Sequence, residues 1–147
     1  NNEHYVPDIV VQLRPTSPIR YITDIQRAIK VLISNPDADS VRAVSEPVTT
    51  PYKMWNIDEK GLLVPLLSLP ENQEPYNTAR QELPEIFAQT GTIDVIRTST
   101  ITTMNSMTGD YILPLKIDQE TFIDIDTLNS LLLAEIVMQK LNCVKPS

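Results

Sequence analysis

The sequence predicts an α/β protein with parallel pairing in its sheet and a separate excursion near its middle. Three observations predict it. A strand, a helix and a second strand succeed one another between Asp8 and Val44. A polar, Pro-bearing stretch with its own hairpin interrupts the chain between Met54 and Pro84. The chain then returns to strand-like runs and closes on a Leu-rich helical segment.

The elements follow in order. Asp8 to Leu13 (DIVVQL) is a short apolar run rich in β-branched residues, which reads as a buried strand of a parallel sheet. Arg14 to Arg20 (RPTSPIR) must be a loop, because Pro15 and Pro18 break ladder and helix alike. Thr23 and Gln26 have the spacing of a capping box, and Ile25, Ala28, Ile29, Leu32 and Ile33 follow with helical periodicity up to Asn35-Pro36-Asp37. Ser40 to Val44 is the next strand, and the succession implies a right-handed crossover between parallel neighbours. Met54 to Ile57 and Leu62 to Leu67 flank Asp58-Glu59-Lys60-Gly61, a hairpin turn. Ile93 to Ile96, Tyr111 to Ile117 and Phe122 to Ile125 read as strands, the second an edge strand because of Pro114. Thr98 to Met107 is open: its threonines disfavour a helix and its length permits one. Thr127 to Leu141 predicts the terminal helix.

Composition excludes several function classes. The 147 residues include 12 prolines and only three glycines, whereas average usage is roughly 7% Gly and 5% Pro. Gly61, Gly91 and Gly109 are far apart, which excludes a Walker A loop and a G-x-G-x-x-G turn in this chain. The net charge is −7 with no basic cluster, against a nucleic-acid partner. One cysteine, Cys143, excludes an internal disulfide and fits a reducing, cytoplasmic setting. One histidine, His4, leaves no material for a His/Cys zinc site or a His-dependent nucleophile. No run approaches the ~18 apolar residues of a membrane span. The chain opens without a methionine and enters a strand within a few residues, so a preceding segment is expected.

Three motifs could carry chemistry. In the first loop, Arg14 and Arg20 frame a Pro-stiffened Thr16-Ser17 pair at the carboxyl end of a strand, where open α/β sheets bind ligands. Guanidinium forks match carboxylates and phosphates, and hydroxyls complete such a site. On pattern alone, an ordinary surface loop with solvated arginines fits better. In the second, Asp124 and Asp126 would share one face of an extended strand, two carboxylates side by side. Mg²⁺ is typically held by one or two carboxylates plus substrate phosphates. The same spacing fits a half-exposed strand whose second Asp caps the helix that follows. In the third, Arg80-Gln81-Glu82-Leu83-Pro84 precedes Thr90-Gly91-Thr92, and Arg80 reads as an anion-binding group or as a surface arginine in a charged segment.

In order, LRPTSPIR, RQELP with TGTIDV, and FIDIDT before a terminal amphipathic helix resemble the acylneuraminate cytidylyltransferase family, the CMP-sialic acid synthetases and their relatives. The resemblance runs from about Asp8 to Leu141. It implies a nucleotide-diphospho-sugar transferase (Rossmann-like) sheet, present here in part, and a homodimer in which residues 52–91 form a dimerisation and sugar-binding excursion. It implies the reaction of CTP with an acidic nine-carbon sugar to give a CMP-sugar and pyrophosphate, with Mg²⁺. By the same resemblance Asp124 and Asp126 are the metal-binding, catalytic pair. Arg14, Thr16, Ser17, Arg20, Arg80, Gln81 and Thr90 lie on substrate. No membrane and no nucleic acid take part.

The chain departs from the family pattern where the sugar is read. Arg14 replaces a Gln, Thr90 replaces an Asn before Gly91, and Asp94-Val95 stand where a Tyr is usual. These departures point to an acidic sugar related to sialic acid. The QGDEP-type loop of the ketodeoxyoctonate branch is absent from the sequence. So is the family's basic, Gly-containing loop for CTP, which is expected in a preceding segment of roughly 80 to 90 residues. The alternative expectation is a non-catalytic fragment of this fold that serves as a dimerising module.

Overall fold

A computed structural model of the chain describes residues 5–118 and 122–141. The chain divides into two compact units, one of Asn1–Ser45 with Gln89–Ser147 and one of Glu46–Ala88.

The first unit holds a four-stranded sheet. Its strands are β1 (Ile9–Gln12), β2 (Ser40–Ser45), β5 (Ala88–Arg97) and β6 (Ile112–Lys116), in the order β1-β5-β2-β6. β2 and β6 are parallel, with Val41 opposite Leu113 and Ala43 opposite Leu115. β1 runs antiparallel to β5, with Val10 opposite Ile96 and Gln12 opposite Asp94. The expected parallel pairing of the first two strands is therefore not made. β5 lies between them, because its continuous buried run from Thr90 to Ile96 suits a central position. β1 accordingly ends the sheet among the described strands and is half-buried along Ile9–Val11. β6 ends it on the other side, a position that tolerates Pro114.

The helix α1 (Ile22–Ser34) covers one face of this sheet. Ala28 and Leu32 are fully buried against Val41, Ala43, Ile93, Val95 and Leu115. Burying each of these larger side chains contributes about 1.5–3 kcal/mol, so this cluster supplies the unit's main stabilisation. The expected Thr23/Gln26 capping box does not form. The helix begins two residues earlier, and the Tyr21 carbonyl accepts from the Asp24 and Ile25 amides without a side-chain cap. At the other end Arg97 donates from Nη2 to the Leu32 and Asn35 carbonyls and from Nε to Ala38. A cation there satisfies the orphan carbonyls of the last turn.

The open segment is a helix, α2 (Thr98–Met104). Its threonines work for it: Thr98 donates to the Pro7 carbonyl, Thr100 to Asp39 and Thr102 to Thr98. The terminal helix α3 (Leu128–Lys140) forms as expected but is not amphipathic. Its apolar residues point all round. Ala134 is buried with Ile19 and Ile123, whereas Leu128, Leu132, Leu133 and Ile136 are at least half exposed.

The second unit is built on the hairpin of β3 (Trp55–Ile57) and β4 (Leu63–Pro65). The turn forms where the sequence placed it. Asp58 Oδ1 accepts from the Lys60 and Leu62 amides, at 2.9 and 2.8 Å. Short 3₁₀ turns at Pro51–Lys53, Pro75–Asn77 and Arg80–Glu82 complete the unit, and the Trp55 and Tyr76 rings meet at 4.4 Å.

Candidate functional site

The loop after β1 is a folded object rather than a solvated tether. The Ser17 amide donates to the Arg14 carbonyl at 3.2 Å, and Ile19 plugs into the small cluster beneath α3. The Arg20 guanidinium lies between two backbones. Its Nε donates to the Thr92 carbonyl at 3.1 Å and its Nη2 to the Arg14 carbonyl. Partial burial lowers the Arg20 pKa, yet an arginine stays charged throughout the physiological range. Thr16 closes the loop on its far side, its carbonyl accepting the Ile125 amide at 2.8 Å. The stretch around Asp124 is thus stitched to the Arg14–Arg20 loop.

β5 supplies the third wall. Thr90 Oγ1 donates to the Ala43 carbonyl at 3.1 Å, which fastens this candidate residue into the sheet. Gly91 has φ +69°, a break in the strand that opens space for a neighbour. Arg14 fills that space: a Cβ at position 91 would lie 2.8 Å from Arg14 Nη1 and 2.9 Å from its Cζ. Thr92, not among the candidate residues, is 3% exposed. Two places on, the buried Asp94 pairs with Arg42, Oδ1 to Nε at 2.8 Å, and Arg42 Nη1 also donates to Gln89.

Asp124 and Asp126 do not lie on a strand. Residues 122–125 form no ladder among the described residues, and the Asp126 amide turns back onto the Asp124 carbonyl at 3.2 Å. The stitch to Thr16 bends this segment, so the alternation argument does not apply to it. Nor does Asp126 cap α3. Thr127 does, in a capping box with Ser130 whose hydroxyl also accepts the Asp126 amide. Asp126 is exposed and Asp124 half-buried.

Among the described residues of this unit, three side-chain oxygens are buried without a partner: Ser17 Oγ, Thr92 Oγ1 and Asp124 Oδ1. A buried unpaired hydroxyl costs about 1–3 kcal/mol and a carboxylate oxygen more. Such groups persist where a ligand, ion or water completes them. For Asp124 a divalent cation is a fitting complement. No cluster of three His, Cys, Asp or Glu suited to a metal exists among the described residues. An Asp pair that shares a cation with phosphate oxygens needs no third ligand of that kind, which is the habit of Mg²⁺.

Arg80 and Gln81 belong to the second unit. They line a cavity of about 340 Å³ with Glu46, Thr50, Leu83 and Glu85. The Arg80 guanidinium donates to the Pro47 carbonyl at 2.7 Å and the Val48 carbonyl at 3.1 Å, with Glu46 at 3.7 Å. Within this unit it clasps the Glu46–Val48 segment. Arg14, Thr16, Ser17, Arg20, Thr90, Asp124 and Asp126 all fall in the first unit.

No protein-family model and no curated protein sequence matches the chain. Among solved structures it is similar to a 4-diphosphocytidyl-2C-methyl-D-erythritol synthase from Anaerococcus prevotii DSM 20548, with a TM-score of 0.56 over 90% of this chain. The two share a fold. At 11% identity the likeness is one of fold alone, and this chain spans 59% of that structure. The α/β class expected from the sequence is the class observed. No helix among the described residues is long and apolar enough to cross a membrane.

Proposed function

We propose that this chain belongs to a nucleotidyltransferase that activates a nonulosonic, sialic-acid-like sugar acid with CTP, giving a CMP-sugar and pyrophosphate. The observation that carries the reading is the group of buried, unpaired oxygens on Ser17, Thr92 and Asp124, set around the Arg14–Arg20 loop. The motif resemblance supports the sugar class. A fold shared with an enzyme named for a diphosphocytidyl product supports the nucleotide.

In the proposed reaction the sugar's anomeric hydroxyl attacks the α-phosphorus of CTP. A new oxygen–phosphorus bond forms, the bond to the bridging oxygen of the β-phosphate breaks, and pyrophosphate leaves with that electron pair. The hydroxyl proton passes to solvent. Such chemistry depends on positioning and on neutralising phosphate charge. Asp124 and Asp126 would hold Mg²⁺, which supplies that neutralisation when bound. Arg14, laid over Gly91, offers a guanidinium to a carboxylate or acylamino group of the sugar. By the motif resemblance, Arg80 and Gln81 are also proposed as substrate-binding residues. The exposed apolar hairpin, with Ile57, Leu62 and Leu63 each at least 60% exposed, is proposed to pack on a second copy in a homodimer.

The test is a panel of nonulosonic acids incubated with the full-length protein, CTP and Mg²⁺, with product masses read by mass spectrometry. A CMP adduct of at least one sugar acid is expected, with one pyrophosphate released per adduct. Absence of adducts across the panel overturns the assignment. Light scattering checks the dimer, and a monomer at working concentration removes that part of the proposal.

A further inference from the structure

Arg20 has its fork engaged by backbone rather than open to an anion, and this changes what the site can do around it. The Arg14 carbonyl accepts both Arg20 Nη2 and the Ser17 amide, while Arg20 Nε holds the Thr92 carbonyl. Ser17 and Thr92 are therefore tied by their backbones through one guanidinium. Each is almost wholly buried, at 1% and 3% exposure, and each carries a hydroxyl with no partner. Two buried, unpaired hydroxyls on residues whose backbones are tied through one arginine are an unusual arrangement for a packed interior.

We infer that Arg20 is a positioning residue that fixes Ser17 and Thr92, and that Thr92 is a further substrate-contacting residue whose hydroxyl, with that of Ser17, receives a hydroxyl group of the sugar. The chemistry selects this ligand class. A serine or threonine hydroxyl both donates and accepts, and a sugar hydroxyl answers in both senses. Arg20 Nε and Nη2 are already held by the Thr92 and Arg14 carbonyls, so that edge of its guanidinium is not offered to an anion. The inference rests on the proposed sugar-acid activity and names two contacts within it.

The experiment compares steady-state kinetics of wild type, Thr92→Val, Thr92→Ser, Arg20→Lys and Arg20→Met, using CTP and the panel sugar that wild type turns over best. Valine matches threonine in shape and removes only the orphan hydroxyl. Thr92→Val should raise the sugar KM about tenfold while leaving kcat and the CTP KM within about twofold. Its melting temperature should equal or exceed that of wild type. Thr92→Ser should restore the sugar KM. Arg20→Lys keeps the charge but cannot span both carbonyls, so it should show the same rise in sugar KM. Arg20→Met should do so more strongly; if it fails to fold, the two Thr92 variants and the lysine variant still decide. Wild-type kinetics in Thr92→Val overturn the inference alone and mean that these hydroxyls hold internal water. A rise in the CTP KM with the sugar KM unchanged also overturns it. A wild type that transfers to no sugar acid overturns the proposed function, and this inference with it.

Discussion

Replacing Gly91 by alanine separates backbone strain from displacement of Arg14, the arginine proposed to bind the sugar. Gly91 has φ +69°, in the left-handed region where an L-residue costs about 1–2 kcal/mol. The added Cβ would also stand 2.8–2.9 Å from the Nη1, Cδ and Cζ atoms of Arg14. That side chain is flexible and exposed, so it moves aside at little cost in stability but loses its place. Gly91→Ala is therefore expected to lower stability by about 1–2 kcal/mol, or about 2–8 °C in Tm for a chain of this size. It should also raise the sugar KM. Gly61→Ala is the control. Its φ of +79° carries similar strain, and nothing lies within 4 Å of its new Cβ. Urea denaturation should show similar losses for both variants, while sugar kinetics should change only for Gly91→Ala. Unchanged stability in Gly91→Ala, or sugar kinetics equally altered in both, would refute the reasoning.

Three further outcomes are expected. Arg14→Gln should shift preference toward sialic acid itself, read as the ratio of kcat/KM across the panel; an unaltered ratio rejects the role given to Arg14. Arg42→Leu leaves the buried Asp94 carboxylate without its cation and should cost about 3 kcal/mol in urea denaturation, with the Arg42→Leu, Asp94→Leu pair recovering most of it. Asp39 should contribute to acid sensitivity. Amide hydrogen bonds from Tyr111 and Asp110 hold its carboxyl below the usual carboxylate range. The folded protein then binds that proton less readily than the unfolded chain. Its contribution is present above the ordinary carboxylate pKa and is lost as pH falls through the lower, folded value. Asp39→Asn should flatten the stability profile in that acid window and leave the slope near neutrality unchanged.

Elements whose signal is local could be read from the sequence. β2 and α1 are written in apolar periodicity, and the β3–β4 hairpin in the Asp58–Gly61 turn. Features decided by distant partners could not. Nothing in Asp8–Leu13 announces that β5, eighty residues on, will insert beside it in the opposite direction. The bend at Asp124–Asp126 depends on a hydrogen bond to Thr16, so a strand-like composition misleads there. The capping box at Thr127 carries no S/T-x-x-E/Q signature, because its reciprocal partner is Ser130 rather than Glu or Gln. In the candidate site the Arg14–Arg20 loop and Asp124 were legible as motifs. Thr92 was not, since a buried threonine in a strand is ordinary until its hydroxyl is found unpaired. Gly91 did carry a signal: an isolated glycine inside a strand marks a close approach, here that of Arg14.

The proposed chemistry is a metal-assisted cytidylyl transfer at Asp124 and Asp126. Its most direct test is the rate of CMP transfer from CTP to the preferred sugar acid in Mg²⁺, by full-length wild type and by an Asp124→Ala, Asp126→Ala variant shown by circular dichroism to be folded. Transfer by wild type should stop when EDTA removes the metal, and the folded variant should show no measurable transfer. Undiminished transfer by that variant would contradict the proposed chemistry.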